Sequence, residues 1–250
     1  NTLTPITDAN FYQAINTCLS TNPVDGMCSD SEYGAMPDWD VSQVTEMNNA
    51  FVDRNDFNAD ISAWDVSNVT AVTNMFLNAT SFNQEIGDWD VSNVTMFHQM
   101  FRSAISFNMD IGDWDVSNAQ SLYAMFREAS AFNQDITDWD VSNVVDMSRI
   151  FRSAASFNQP IGDWNVSNVI GMYSMFRAAT SFNQDIGSWN VSNVTNMITM
   201  FYDATSFNQD ISTWCVTNIS DEPSGFSTSS PITQSNKPVW GTCGGLTPIT

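Results

Sequence analysis

Basic side chains are scarce in this chain. Seven lysines and arginines stand against 28 aspartates and glutamates, which gives a formal net charge of −21. Because nucleic-acid binding needs cations that neutralise phosphates, the composition argues against DNA and RNA as partners. It argues equally against anionic lipid. A charge of this size fits a strongly solvated secreted surface, or one that collects cations.

Residue types that support catalysis are scarce as well. His98 is the only histidine, and no Ser/His/Asp grouping, cysteine nucleophile, zinc-ligand spacing or phosphate-binding loop is found. We therefore expect a non-catalytic protein that requires no cofactor. No apolar run approaches the roughly 18 residues that a membrane-spanning helix needs, so the sequence predicts no transmembrane segment.

Tryptophan is present at a fixed interval of 25 residues. The series comprises Trp39, Trp64, Trp89, Trp114, Trp139, Trp164, Trp189 and Trp214. A constant period of this size is typical of a solenoid, in which one structural unit stacks on copies of itself. Most repeated residues are therefore expected to serve stacking rather than chemistry.

Each unit has the same apolar pattern when its tryptophan is counted as position 0. Apolar residues fall at +2, +5, +8, +11, +12, +15, +18 and +22. The Trp-Asp-Val segment alternates apolar and polar residues, which predicts a strand of a parallel sheet. The spacing from +8 to +15 predicts a helix over roughly +6 to +15. The expected fold class is an α/β solenoid, a leucine-rich-repeat-like right-handed stack of strand–turn–helix units with a parallel sheet on one face and capped ends.

The repeated motif resembles a known family. Residues 64–70, 75–76 and 81–84 read W-D-V-S-N-V-T, M-F and S-F-N-Q, and equivalents recur in register over about residues 36–220. This pattern resembles the BspA-like leucine-rich-repeat superfamily, in particular its surface protein 26-residue-repeat type, although the period here is one residue shorter. The resemblance implies an extracellular or cell-surface protein of adhesive, structural or unknown role, and it transfers no catalytic residue.

The array divides the chain into three parts. Residues 1–35 are predicted to form an N-terminal linker and a helical cap, with an amphipathic helix over 8–19. Residues 36–214 hold seven repeats, and residues 215–250 hold a degenerate last repeat, a C-terminal cap and a linker. Trp240 is expected to cover the core at the C-terminal end of the array.

The four cysteines lie at the two ends of the array. Three pairings are possible, and four free buried thiols are the alternative. Local pairing is favoured because the two pairs lie at opposite ends of an elongated stack, which predicts disulfides Cys18–Cys28 and Cys215–Cys243.

Acidic residues flank the tryptophans from Trp39 to Trp164 on one or both sides and are expected on the open face of the predicted sheet. Hydrogen bonds from the following Ser and Asn would relieve their repulsion; a bound cation such as Ca²⁺, or another ligand, is the alternative. The candidate face comprises Asp38, Asp40, Asp65, Asp88, Asp90, Asp113, Asp115, Asp138, Asp140 and Asp163.

Two further columns repeat along the array. Asparagine at +19, from Asn58 to Asn208, predicts a buried amide ladder rather than a ligand site. Arginine at +13 is predicted to pair with the acidic column at +21 (Asp110, Asp135 and Asp185) or, alternatively, to contact an acidic neighbour such as another copy of the chain. The +13 arginines are Arg102, Arg127, Arg152 and Arg177.

Seven sites read Asn-x-Ser/Thr and are candidates for N-linked glycans in an extracellular protein. Asn78 is the preferred one because it lies on the predicted helix side at +14, whereas Asn68, Asn93, Asn193 and Asn218 lie in the Ser-Asn turn. The remaining candidates are Asn68, Asn93, Asn165, Asn190, Asn193 and Asn218.

A pentapeptide recurs at the two extremes of the chain. Leu-Thr-Pro-Ile-Thr occupies residues 3–7 and again residues 246–250. Similar linkers, a tandem array of such modules, and head-to-tail fibre growth are all compatible with it. The candidate assembly residues are Leu3, Pro5, Ile6, Leu246, Pro248 and Ile249.

The sequence therefore predicts an extracellular structural protein whose modules join end to end, with other copies or modules of itself as partners. The alternative is an adhesion module that binds a cell-surface glycan, a protein or Ca²⁺ on the acidic face.

Overall fold

The repeat units stack in register along the chain. The computed structural model describes residues 3–244, in which parallel backbone bridges at position +7 join equivalent residues of neighbouring units. The bridged pairs are Glu46–Ala71, Met96–Ser121, Ser121–Asp146, Asp146–Gly171 and Gly171–Asn196. Each unit is therefore one layer, and a column of equivalent side chains runs from layer to layer.

Regular secondary structure is sparse within these residues. It consists of one α-helix, α1 (Phe11–Leu19), and three short 3-10 helices at Met36–Asp38, Ile161–Asp163 and Gln234–Asn236. Helix α1 begins three residues later than predicted and buries the expected face of Phe11, Ile15, Cys18 and Leu19. No helix of residues 3–244 is long and apolar enough to cross a membrane.

The predicted strand at Trp-Asp-Val is wrong, and so is the sheet face built on it. In the unit that starts at Trp64, the Asp65 carboxylate accepts the amide of Ser67, and the amide of Val69 donates to the carbonyl of Val66. These two turns use the backbone N–H and C=O groups that hydrogen bonds between neighbouring β-strands would need. Over residues 3–244 the units are joined by isolated bridges instead of a sheet.

The predicted helix over +6 to +15 is also wrong. The amide of Ala50 donates to the carbonyl of Met47, three residues back, whereas the amide of Phe51 donates to Met75 in the next unit. Asn49 has a φ of 58° and stands third in the turn from Met47 to Ala50, as a type II turn requires. Such turns also return apolar side chains to one side every three or four residues, so the spacing fitted both structures.

Left-handed residues recur at +10 and +14 in every regular unit. They interrupt the i to i−4 pattern of a helix and send alternate amides towards the next layer. The residues are Asn49, Asp53, Asn74, Asn78, Gln99, Ser103, Ala124, Glu128, Arg149, Ser153, Ser174, Ala178, Thr199 and Asp203.

Aromatic side chains form the centre of the stack. In the unit from Trp89, the rings of Phe101 (+12) and Phe107 (+18) lie parallel with centroids 4.0 Å apart. Phe101 stacks in turn on Phe126 of the next layer at 5.7 Å. Trp114 is 3 % exposed, so both the tryptophan and the phenylalanine columns lie inside.

Each tryptophan also binds the preceding layer through its indole nitrogen. Trp114 Nε1 donates to the carbonyl of Ile86 at 2.9 Å, and every tryptophan from Trp64 to Trp214 makes the equivalent bond. The ring therefore buries its apolar surface without leaving its N–H unpaired, which would be costly.

The N-terminal layer is covered by the segment that carries α1. The Asp8 carboxylate accepts the backbone amide and the hydroxyl of Thr45, at 2.8 and 2.7 Å. In the next layer the amide of Thr70 donates to the carbonyl of Thr45, so Asp8 occupies the place of a preceding layer. The ring of Phe11 packs edge-on against Trp64.

The C-terminal layer is covered by an irregular segment. The amides of Ile211 and Val216 donate to the carbonyls of Asn236 and Thr242, and Trp240 packs edge-on against Phe226. Disulfides Cys18–Cys28 and Cys215–Cys243 are both formed, as predicted, one at each end. Such crosslinks are typical of proteins that fold in an oxidising compartment and indicate a secreted or surface protein.

Candidate functional site

The aspartates at +1 are held in local turns. Asp65 Oδ1 accepts the amide of Ser67 at 3.0 Å and its hydroxyl at 2.6 Å, and Asp90 binds Ser92 in the same way. Hydrogen bonds from the serine hydroxyl and amide lower the pKa of Asp65. The same cause lowers the pKa of Asp40, Asp115 and Asp140. This is the local bonding that the sequence offered as the alternative to a cation.

The aspartates at −1 are different, because they are exposed and form no side-chain hydrogen bond with any of residues 3–244. They comprise Asp38, Asp88, Asp113, Asp138 and Asp163; the last four occupy consecutive layers, and Ala63 takes the position between Asp38 and Asp88.

A shallow depression of about 320 Å³ lies beside this column. It is lined by Ser62, Glu85, Gly87, Asp88, Asp110 and Asp113. Across the described residues, however, no three carboxylate, histidine or cysteine side chains gather closely enough to hold a metal ion. Calcium binding at the aspartate columns stays a prediction.

The asparagine column at +19 forms the predicted amide ladder. Asn83 Oδ1 accepts the backbone amide of Asn108 at 2.8 Å, and the bond recurs from Asn58 to Asn208. The ladder is half-buried at Asn83 and exposed at Asn208, so it is less enclosed than predicted. Each side-chain amide oxygen of the ladder from Asn58 to Asn183 accepts a backbone N–H of the next layer.

The arginines do not pair with the acidic column at +21. Within residues 3–244, Arg127 Nη2 lies 2.9 Å from Glu128 Oε1, and Arg102 Nε lies 3.9 Å from Glu128 Oε2. No ion pair joins either to Asp110, Asp135 or Asp185. Sequence reasoning missed Glu128 because it occupies +14, where the neighbouring layers carry Ser103 and Ser153 and no acidic column is formed.

A second arginine position extends the row of cations. Arg149, at +10, has its guanidinium 4.8 Å from the centre of the Tyr173 ring, and its Nη1 donates to the Tyr123 hydroxyl at 2.6 Å. Arg177 lies over the ring of Tyr202 at 4.7 Å. We call the half-buried surface formed by these side chains the arginine face; it comprises Arg102, Arg127, Arg149, Arg152, Arg177, Tyr123, Tyr173 and Tyr202.

The electrostatics of this face are cationic. Burial and the neighbouring Arg127, Arg177 and Arg149 lower the pKa of Arg152. The adjacent Arg149 guanidinium lowers the pKa of Tyr173. Sequence reasoning found the +13 arginines but not the contribution of the tyrosines. Tyr123 and Tyr173 stand at +9, and Tyr202 stands at +13 in the layer after Arg177.

His98 lies at the edge of the arginine face. It is half-buried, its Nε2 lies 2.8 Å from the Ser121 hydroxyl, and its ring meets Tyr123 edge-on. Among residues 3–244, no carboxylate hydrogen-bonds the His98 ring, as the third member of a catalytic triad would.

The glycosylation candidates differ in whether the side-chain amide nitrogen, which would carry the glycan, already donates a hydrogen bond. Asn78 Nδ2 donates to Asp53, and Asn68, Asn93, Asn193 and Asn218 donate theirs to serine carbonyls of the preceding layer. Asn165 and Asn190 are exposed and use only their Oδ1 atoms, as acceptors from Ser167 and Ser192. The geometry therefore favours Asn165 and Asn190 over Asn78.

Three of the six candidate assembly residues lie within residues 3–244. Ile6 is buried, Pro5 is exposed, and Leu3 is 57 % exposed beside Gly34. Leu246, Pro248 and Ile249 lie outside the described residues.

Comparison with known proteins gives one family. No curated protein and no solved structure matches the chain. The family model described as "Mycoplasma protein of unknown function, DUF285" matches twice, over residues 24–139 and 120–240. Together the two matches span the whole repeat array. The chain belongs to the DUF285 family.

Proposed function

We propose that this chain is a non-catalytic module of an extracellular or cell-surface protein, joined to similar modules in a tandem chain or fibre. The observation that carries the proposal is the recurrence of Leu-Thr-Pro-Ile-Thr at residues 3–7 and 246–250. Equivalent sequences on either side of one array are expected where modules follow each other along a polypeptide.

The closed ends of the array favour covalent linkage over continuation of the stack. Asp8 and α1 use the hydrogen-bonding groups of the first layer, and the segment around Thr242 uses those of the last. A second copy would have to displace both covers to add another layer. Capped ends are what keep a solenoid from growing.

The size of the native polypeptide tests tandem linkage. An antibody raised against this chain should detect, after reduction and denaturation, a species much larger than 27.8 kDa. That species should be removed by protease treatment of intact cells. A native band near the mass of a single module would contradict tandem linkage.

A finer family placement is part of the same proposal. The W-D-V-S-N-V-T…M-F…F-N-Q motif supports membership of the BspA-like leucine-rich-repeat superfamily, surface protein 26-residue-repeat type, and with it a right-handed coil.

The second candidate function is adhesion or ligand binding on the acidic surface, with a glycan, a protein or Ca²⁺ as partner. The depression beside Asp88 and Asp113 favours it. Calcium titration of the wild-type chain and of Asp88→Asn/Asp113→Asn, followed by thermal unfolding, tests it. A calcium-dependent rise in midpoint that the double variant loses would support this function, and an unchanged wild-type midpoint would contradict calcium binding.

A further inference from the structure

Three arginines of the arginine face have no carboxylate partner within residues 3–244, although acidic residues outnumber basic ones fourfold. Within residues 3–244, Arg149, Arg152 and Arg177 make no ion pair, and the side chains of Arg152 and Arg177 donate no hydrogen bond. A guanidinium is best satisfied by a carboxylate that it can bind through two N–H groups.

Carboxylates line another part of the same layers. Those at +21 accept hydrogen bonds in local turns, as Asp135 does from Thr137, whereas those at −1 have no hydrogen-bond partner within residues 3–244. We call the exposed −1 and +21 aspartates between residues 88 and 185 the acidic ribbon; it comprises Asp88, Asp110, Asp113, Asp135, Asp138, Asp163 and Asp185. The −1 members form no side-chain hydrogen bond within residues 3–244, unlike the +1 aspartates, which bind serine. The ribbon and the arginine face are separated along each unit by the buried phenylalanine at +18.

The two surfaces have the same repeat distance. Unpaired aspartates stand at −1 in four consecutive layers, at Asp88, Asp113, Asp138 and Asp163. Arginines stand at +13 in those same four layers, at Arg102, Arg127, Arg152 and Arg177. Since both columns are set by one layer height, a row of arginines on one copy matches a row of aspartates on another over its full length.

We propose that the arginine face binds the acidic ribbon of a second copy of this chain, side by side. The contact joins two different surfaces, so each copy has one of each to offer and the association can extend into a lateral array. It goes beyond tandem linkage, because it joins neighbouring polypeptides instead of consecutive modules. The net charge does not forbid it: at about 0.15 M salt the Debye length is about 8 Å, which screens distant charges but not contacting ones.

Charge reversal on each surface tests the contact. Sedimentation velocity over a concentration series at about 0.15 M salt should show reversible self-association of the wild-type chain. Arg152→Glu/Arg177→Glu should weaken the association constant by roughly tenfold or more, and so should Asp113→Arg/Asp138→Arg. The two double variants shift the net charge by equal amounts in opposite directions, so a general charge effect cannot explain a loss in both.

Mixing the two variants provides the decisive result. The reversed arginine face of one variant fits the reversed ribbon of the other, and their unchanged surfaces fit as well, so the equimolar mixture should regain association. Asp30→Arg/Asp56→Arg, which alters exposed carboxylates outside the ribbon, should associate like the wild type. Thermal unfolding of each variant shows whether it is folded.

Three outcomes would overturn the proposal: a wild-type chain that stays monomeric, variants that associate undiminished, or a mixture that does not recover. A monomeric wild-type chain that binds dextran sulfate, with binding lost in Arg152→Glu/Arg177→Glu, would assign the face to a free polyanion instead. None of these results bears on the size of the native polypeptide, so tandem linkage is judged separately.

Discussion

At the residue scale, tryptophan combines two kinds of stabilisation. The ring of Trp114 buries apolar surface in the core, and its N–H satisfies the carbonyl of Ile86 in the preceding layer. The neighbouring Asp115 is exposed and accepts its hydrogen bonds from Ser117, two residues along the same turn. Successive side chains of this segment point to opposite sides, so Trp114 is buried in the core and Asp115 is exposed to solvent.

Trp114→Ala should lower the free energy of unfolding by about 3–5 kcal/mol, because it leaves a cavity and an unpaired carbonyl in the middle of the stack. Asp115→Ala is the matched control and should cause a much smaller loss. Urea unfolding followed by circular dichroism measures both. Equal losses would contradict the assignment of Trp114 to the core and Asp115 to the surface.

Left-handed residues store strain where they are not glycine. Ala178 has a φ of 55°, a conformation that costs an L-residue about 1–2 kcal/mol. Ala178→Gly should therefore stabilise the chain, by up to about 1 kcal/mol after the greater freedom of glycine in the unfolded state is counted. Ala155→Gly, at a half-buried alanine without a positive φ, should destabilise it. Thermal unfolding compares the two, and the opposite order would contradict the turn geometry.

At the element scale, the sequence predicted the period, the core positions, the cap helix and both disulfides. These features depend on side-chain spacing, which is visible in the sequence. It did not predict the backbone between +6 and +15, because turns with left-handed residues and a helix place apolar residues at the same intervals. Ala124, Arg149 and Thr199 give no composition signal for a positive φ, which is normally left to Gly, Asn or Asp.

The candidate surfaces were predictable to a similar degree. The columns of Asp, Asn and Arg follow directly from the repeat. Which carboxylates are used in turns, and which arginines lack a partner, depends on side-chain contacts such as Asp65 with Ser67 and Arg127 with Glu128. Those contacts are set by the folded backbone.

The N-terminal cap depends on Asp8. Asp8→Ala removes the acceptor of the Thr45 amide, so it should loosen α1 and cost up to about 1 kcal/mol. Hydrogen exchange of the Phe11–Leu19 amides and of Thr45 should become faster, while exchange around Trp164 stays unchanged. Asp8→Asn keeps one acceptor oxygen and should lie between. Unchanged exchange of Thr45 in Asp8→Ala would show that Asp8 does not cover the first layer.

At the scale of the whole molecule, acid should destabilise the fold. Hydrogen bonds lower the folded-state pKa of Asp8, Asp40, Asp65, Asp115 and Asp140 below the unfolded value of about 3.9. As pH falls, the unfolded chain therefore binds protons first, and stability present at neutral pH is lost between about pH 5 and pH 2.

The melting temperature measured from pH 7 to pH 2.5 checks this prediction. It should stay level down to about pH 5 and then fall. Relief of repulsion within a chain of net charge −21 acts in the opposite direction. A melting temperature that rises below pH 4 would mean that repulsion, not local hydrogen bonding, dominates the response.

The central claim is that backbone hydrogen bonds run between layers where the sequence suggested a helix. Nuclear magnetic resonance detects scalar couplings across individual hydrogen bonds and can identify the acceptor of the Phe101 amide. The structure predicts a coupling to the carbonyl carbon of Met125, in the next layer. A coupling to the carbonyl carbon of Phe97, four residues back in the same unit, would mean a helix and would contradict the account.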